Sequence, residues 1–246
     1  MAKLGRGKSG GKKGRAEKPQ MSLKIRLVLG FLTAFAVAGV IVFVPAGSFG
    51  FWQGWAYLAA LLIPVTLTFI YFYLHDPEFL ERRLRTDEKE KEQRTLLKWG
   101  KPLYLAVFLL PGFDFRFGWS RRLVGAAPLW LTVLSLAVVV GVMGLVFRVF
   151  LVNRFASRTV EVEEGQKVVT SGPYGWVRHP LYFAASVLWI FTPTALGSFV
   201  AWPFFILLIP FYVLRLKNEE EVLRRELPGY PEYCLRTRYR LIPFVW

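Results

Sequence analysis

Long apolar runs separated by polar stretches dominate this chain, and run length carries more signal than any short-period alternation. Residues 27–44 form the first run, long enough at about 1.5 Å rise per residue to cross a bilayer core. It lacks a convincing small-x-small cleavage site and reads as an anchor, not a removed signal peptide. The uncharged connection 45–54 suits a short turn outside, and a second run at 55–74 brings the chain back. A third, 102–119, is interrupted by Pro111-Gly112 and carries Asp114 and Arg116. Charges deep in a bilayer are costly, so these two are expected at the outer surface and paired with each other. Residues 128–146 make a fourth run, and 180–196 with 198–214 make a fifth and sixth, joined at Gly197 as a tight helical hairpin. The reading is an all-α, polytopic integral membrane protein with about six transmembrane helices.

The polar stretches are of three kinds. Residues 1–26 hold nine Lys and Arg against the one acid Glu17 and are rich in Gly and Ser, as expected of a disordered tail that touches anionic lipid. Within it GRGKSGGKKG lacks both the spacing and the preceding strand of a phosphate loop. Residues 75–101 intersperse eight basic and seven acidic side chains at helical spacings, which predicts an amphipathic helix on the membrane surface with His75 as an interfacial residue. Residues 153–246 hold the remaining polar material around the last hairpin, so the chain divides into a tail (1–26), an N-terminal helical region (27–152) and a core with a C-terminal cap (153–246).

Charge and composition then narrow the function. The 246 residues carry a formal net charge of +15, which in a soluble protein would suggest nucleic acid. Here 29 of the 32 Lys and Arg fall in the tail, the 75–101 stretch, the segment before the fifth run and the part after the sixth, leaving Arg116, Arg121 and Arg122 on the other side. That asymmetry follows the membrane, not a nucleic-acid groove, and predicts cytoplasmic N- and C-termini. One cysteine, Cys234, and two histidines give neither a disulfide nor a metal cluster, so no metal is expected.

Chemistry concentrates in GQKVVTSGPYGWVRHPLY, residues 165–182, where a turn-rich segment meets the start of the fifth run. Tyr174, Trp176, Arg178, His179 and Tyr182 crowd a few positions, and Pro180 sits where a helix accepts proline, in its first turn. Beyond the sixth run, Arg215 and Glu219 stand at i and i+4, one turn apart on one face, with Glu220 on the adjacent face. Each feature has a plain reading, an exposed ion pair or an aromatic belt. Their convergence at one end of a single hairpin favours a site.

These residues, together with Leu223, Gly229, Tyr230, Tyr233 and the closing RLIPF, resemble the isoprenylcysteine carboxyl methyltransferase family, and more broadly the integral-membrane methyltransferases that include phospholipid N-methyltransferases. The resemblance covers the chain from about Asn153 to the end, with weaker echoes in DPEFLERR and FDFRFGW. It implies S-adenosyl-L-methionine, held without a Rossmann domain in a cytoplasm-facing pocket between the last helices and the C-terminal segment. By resemblance Gln166, Lys167, Val168, Val169, Tyr174, His179, Pro180, Leu181, Tyr182 and Glu220 would contact the cofactor, and Arg215 and Glu219 would serve the reacting centre.

The residue chemistry agrees with that implication. A sulfonium cofactor needs an acid, backbone donors and aromatic walls, which Glu219, the turn at Gly172 and the tyrosines can supply. A carboxylate acceptor, with a pKa of about 3.5, is already ionised and needs only a positioning cation such as Arg215. An amine acceptor, with a pKa of about 10, must first lose a proton, for which Glu219 or Glu220 is suited. The expected acceptor is a lipid or lipid-anchored group in the bilayer, most simply the carboxylate of an isoprenylcysteine, with phospholipid amine methylation or a non-enzymatic lipid-binding role as alternatives.

Overall fold

The computed structural model describes residues 22–84, 91–156, 162 and 165–246, and among them every regular element is a helix. The expected tail, up to residue 21, lies outside the described residues. Among the described residues three helices are long and apolar enough to cross a membrane: α1 (Leu23–Ala46), α2 (Trp52–His75) and, counted later in the chain, α6 (Leu129–Val152). Val28, Leu32, Val40, Ile63 and Leu67 are exposed on the first two, an apolar surface too extensive for water and natural in lipid.

The surface helix expected over 75–101 is two elements. Asp76 accepts a hydrogen bond from the Phe79 amide at 3.2 Å, and Pro77 opens α3 (Pro77–Arg83). Residues 85–90 lie outside the description, and α4 (Lys91–Phe117) then runs on through Pro102 and Pro111 without a break. Pro111-Gly112 does not end it, and Gly112 is where α4 crosses α1. A Cβ there would lie 2.9 Å from the Val42 carbonyl oxygen, so glycine permits the two backbones to touch.

Asp114 differs from the expectation. It is not paired with Arg116; it is buried and accepts hydrogen bonds from the Ser120 amide (2.7 Å), the Ser120 hydroxyl and the Ser198 hydroxyl (2.5 Å). Gly118, at φ 67°, turns the chain sharply into α5 (Trp119–Leu123) and so brings Ser120 back to the carboxylate. The Arg116 guanidinium lies instead over the Phe117 ring. His75 closes α2, stacked on Tyr71 and bonded to its carbonyl oxygen at 2.8 Å.

The last hairpin begins with α7 (Pro180–Ala195), whose 16 residues span about 24 Å, short of the ~30 Å hydrocarbon core. The expected continuous sixth run is broken at Leu207 into α8 (Trp202–Ile206) and α9 (Leu208–Glu226). Pro203 and Pro210 each fall in a first turn, where the missing amide hydrogen costs nothing. A short α10 (Tyr230–Arg236) follows. Helix α7 packs chiefly on α6, which packs on α2, and hydroxyl pairs stitch this layer: Tyr57 to Thr192 at 2.9 Å and Ser135 to Thr194 at 2.7 Å.

Candidate active site

The site forms where the polar segment 165–179, the first turns of α7, the polar half of α9 and the C-terminal segment meet. A 3₁₀ turn at Gly172–Gly175 places Tyr174 inward, where its hydroxyl accepts from Asn153 Nδ2 (2.7 Å) and its carbonyl oxygen accepts from the Tyr233 hydroxyl (2.7 Å). The backbone amides of Arg178 and His179 donate to the carbonyl oxygens of Tyr239 (2.9 Å) and Arg240 (3.0 Å). The chain end is thereby strapped across the mouth of α7. Tyr182, on the first turn of α7, donates its hydroxyl to Glu219 Oε2 on α9 at 2.6 Å.

These elements enclose a cavity of about 570 Å³, within the range of small-molecule sites. Gln166, Lys167, Val168, Val169, Tyr174, His179, Pro180, Leu181 and Tyr182 all line it, as do Arg215 and Glu219. Glu220 does not. Its side chain is buried behind the wall, where Oε1 meets Arg178 Nη2 (2.9 Å) and Arg224 Nη2 (2.8 Å) and Oε2 meets Arg240 Nε (2.6 Å). One carboxylate thus ties α9 to the segment before α7 and to the chain end. Burial alone would raise its pKa, but the hydrogen bonds from Arg240 and Arg224 and the charge of Arg178 outweigh that and hold it below the usual carboxylate range.

His179 is fully enclosed. Burial lowers its pKa to about 4; Glu220 opposes the shift and the charges of Arg178 and Arg240 reinforce it, so the imidazole is neutral at neutral pH. Its Nε2 lies 3.5 Å from the Tyr230 hydroxyl. A neutral ring suits a cationic cofactor, which an imidazolium would repel. The lining fits S-adenosylmethionine in further respects: Glu219 offers negative charge and the tyrosines offer flat walls.

Several wall residues were not foreseen. Tyr104 and Lys101 come from α4, and Phe211 and Tyr212 from α9, none of them in a motif. Only their repeated aromatic or basic character at one end of an apolar run hinted at them. Of the arginines around Glu220, Arg224 is readable from its i,i+4 spacing, but that Arg178 and Arg240 join it was not, because they come from two other segments.

Comparison with known proteins agrees with this geometry. The chain is 29% identical over 91 residues to "Delta(14)-sterol reductase TM7SF2" of Mus musculus, an alignment covering 36% of this chain and 22% of that protein. This chain therefore spans about a fifth of the length of the curated relative it matches. The model of the "Isoprenylcysteine carboxyl methyltransferase (ICMT) family" matches residues 131–225, from α6 to the last turn of α9. In this membrane protein it is therefore residues 131–225, which supply α6, α7, α9 and much of the cavity wall, that match the isoprenylcysteine carboxyl methyltransferase family.

Proposed function

We propose that the protein transfers a methyl group from S-adenosylmethionine to a lipid-anchored acceptor in the bilayer, the carboxylate of an isoprenylcysteine-type group. The observation that carries this reading is the common cavity: Arg215, Glu219 and nine residues expected on the cofactor line one enclosure beside apolar helices. The cofactor, when bound, supplies a methyl carbon on a sulfonium sulfur that leaves as a neutral thioether. Arg215 would hold the acceptor carboxylate in line through its planar fork, and no proton need move. Glu219, fixed by the Tyr182 hydroxyl, would stand close to the positive charge of the cofactor. Six helices crossing the bilayer, with both ends of the chain on the cytoplasmic side, complete the proposal; a cysteine introduced at Ser48 should then label from outside and one at Glu226 should not.

A reductase reading has one observation on its side. Among the described residues the cavity wall carries Arg83, Lys101, Lys167, Arg178 and Arg215 against Glu219, a basic surface that suits a phosphorylated dinucleotide, and the curated relative is named a sterol reductase. Binding of labelled S-adenosylmethionine and of NADPH to the detergent-purified protein separates the two. Saturable binding of the former, weakened by His179→Ala and by Tyr182→Ala, is expected. Binding of NADPH alone would replace the methyl-transfer reading, and binding of neither would favour a lipid-binding protein without enzymatic activity. With cofactor binding established, a prenylcysteine analogue and phosphatidylethanolamine offered side by side identify the acceptor.

A further inference from the structure

Three residues that line the cavity from α9 stand four apart, so Phe211, Arg215 and Glu219 lie one above the other on a single face. Glu219 meets Tyr182 at the cap end of that face. Phe211 lies at the other end, one turn or about 5.4 Å beyond Arg215. Opposite it on α7, Ala185 and Leu188 continue inward from Tyr182 and are apolar. A lipid group whose polar head is held at Arg215 therefore finds its apolar wall in this direction, and the Phe211 ring is the part of that wall nearest the head.

The position of the ring is set from another helix. Gly100 on α4 is buried, and a Cβ there would lie 2.6 Å from Phe211 Cε1 and 2.7 Å from Cζ, well inside the contact distance of about 3.5–4.0 Å between carbon atoms. The tip of the ring thus occupies the notch left by the absent side chain, with Tyr104 edge-on to it at 6.4 Å between centroids. At Gly112 the missing Cβ would meet backbone, and glycine there lets two helices touch. At Gly100 it would meet only a side chain, one that walls the cavity.

We infer that Gly100 and Phe211 form a specificity-determining pair that sets the bulk of the lipid group accepted beside the reacting centre. The inference rests on the methyl-transfer reading, with the acceptor head at Arg215. The notch holds the ring back toward α4 and so leaves width for a branched, isoprenoid-type chain. A side chain at position 100 pushes the ring away from α4 and into the cavity it lines. Gly100 lies outside residues 131–225, so the family match does not extend to this half of the pair.

Gly100→Ala tests this in the full-length protein with labelled S-adenosylmethionine and two cysteine analogues, one farnesylated and one carrying an unbranched alkyl chain of the same length. The ratio of kcat/KM for the branched over the unbranched analogue should fall about 10-fold, with cofactor affinity unchanged. Phe211→Ala should move the ratio the other way, and adding Gly100→Ala to it should then have no effect, because no ring is left to displace. An unchanged ratio in active Gly100→Ala protein would overturn the inference. So would an equal effect of Gly100→Ala with and without the Phe211 ring, which would assign the glycine to helix packing alone. If Gly100→Ala does not fold, Phe211→Ala decides by itself, and an unmoved ratio overturns the inference. A wild type that binds cofactor but methylates neither analogue nor phosphatidylethanolamine would remove the methyl-transfer reading, and this pair with it.

Discussion

Helices α1 and α2 and the cap around the cavity are built from one chain by opposite rules. In the first pair nearly every side chain is apolar and most face outward, so stability rests on helix contacts and on lipid, and individual outward residues matter little. In the cap, Glu220, Arg178 and His179 are almost fully buried; the two charges are tolerable only as a pair, and the imidazole only because it stays neutral. The difference teaches where this protein is fragile. The outward faces of its apolar helices tolerate change, while its site hangs on a few buried polar contacts.

The sharpest way to break that contrast is Glu220→Gln. It leaves Arg178 buried without its counter-charge and loosens the chain end at Arg240, so it should cost about 3–5 kcal/mol of stability and abolish cofactor binding, read by thermal unfolding and by labelled ligand. A fully stable variant would show that the cap is held by its backbone contacts alone.

Arg215→Lys acts on chemistry instead of stability. An ammonium cannot reproduce the two-pronged contact, so turnover of a carboxylate acceptor should fall on the order of 100-fold, with cofactor affinity and unfolding temperature little changed. A mild effect, with Glu219→Gln suppressing the rate most at lower pH, would instead mark an amine acceptor.

Acid should weaken the cap before the membrane helices. His179 has a folded pKa of about 4 against an ordinary value of 6.5, so between these the unfolded chain binds the extra proton. Its stabilising contribution is therefore complete above pH 6.5 and is lost as pH falls toward about 4, a change of up to about 3 kcal/mol. The depressed carboxyl of Glu220 acts in the same sense below its ordinary value of 4.5. His179→Gln should flatten the upper part of this slope in thermal unfolding measured against pH.

The smallest effects belong to the membrane region and depend on contact. Gly30→Ala on α1 meets nothing within 4 Å and should be neutral or stabilising by up to about 1 kcal/mol. Gly112→Ala meets the Val42 carbonyl oxygen and should cost about 1–3 kcal/mol by forcing α1 and α4 apart. Equal unfolding temperatures for the two would refute the close crossing.

The sequence by itself determined that the chain is helical and lives in a membrane, because run length and charge asymmetry are one-dimensional properties that the bilayer reads directly. It also gave the polar segment at 165–182 and the Arg215–Glu219 face, since each lies within one local stretch whose spacing sets its geometry. Tertiary structure alone decided that Glu220 stands behind the cavity and not on it, that Asp114 bonds to serines and not to Arg116, and that Tyr104 reaches the site from α4. In each case the partners are brought together by helix packing. A buried polar group takes whichever partner the fold sets within about 3 Å, and sequence spacing carries no record of that distance.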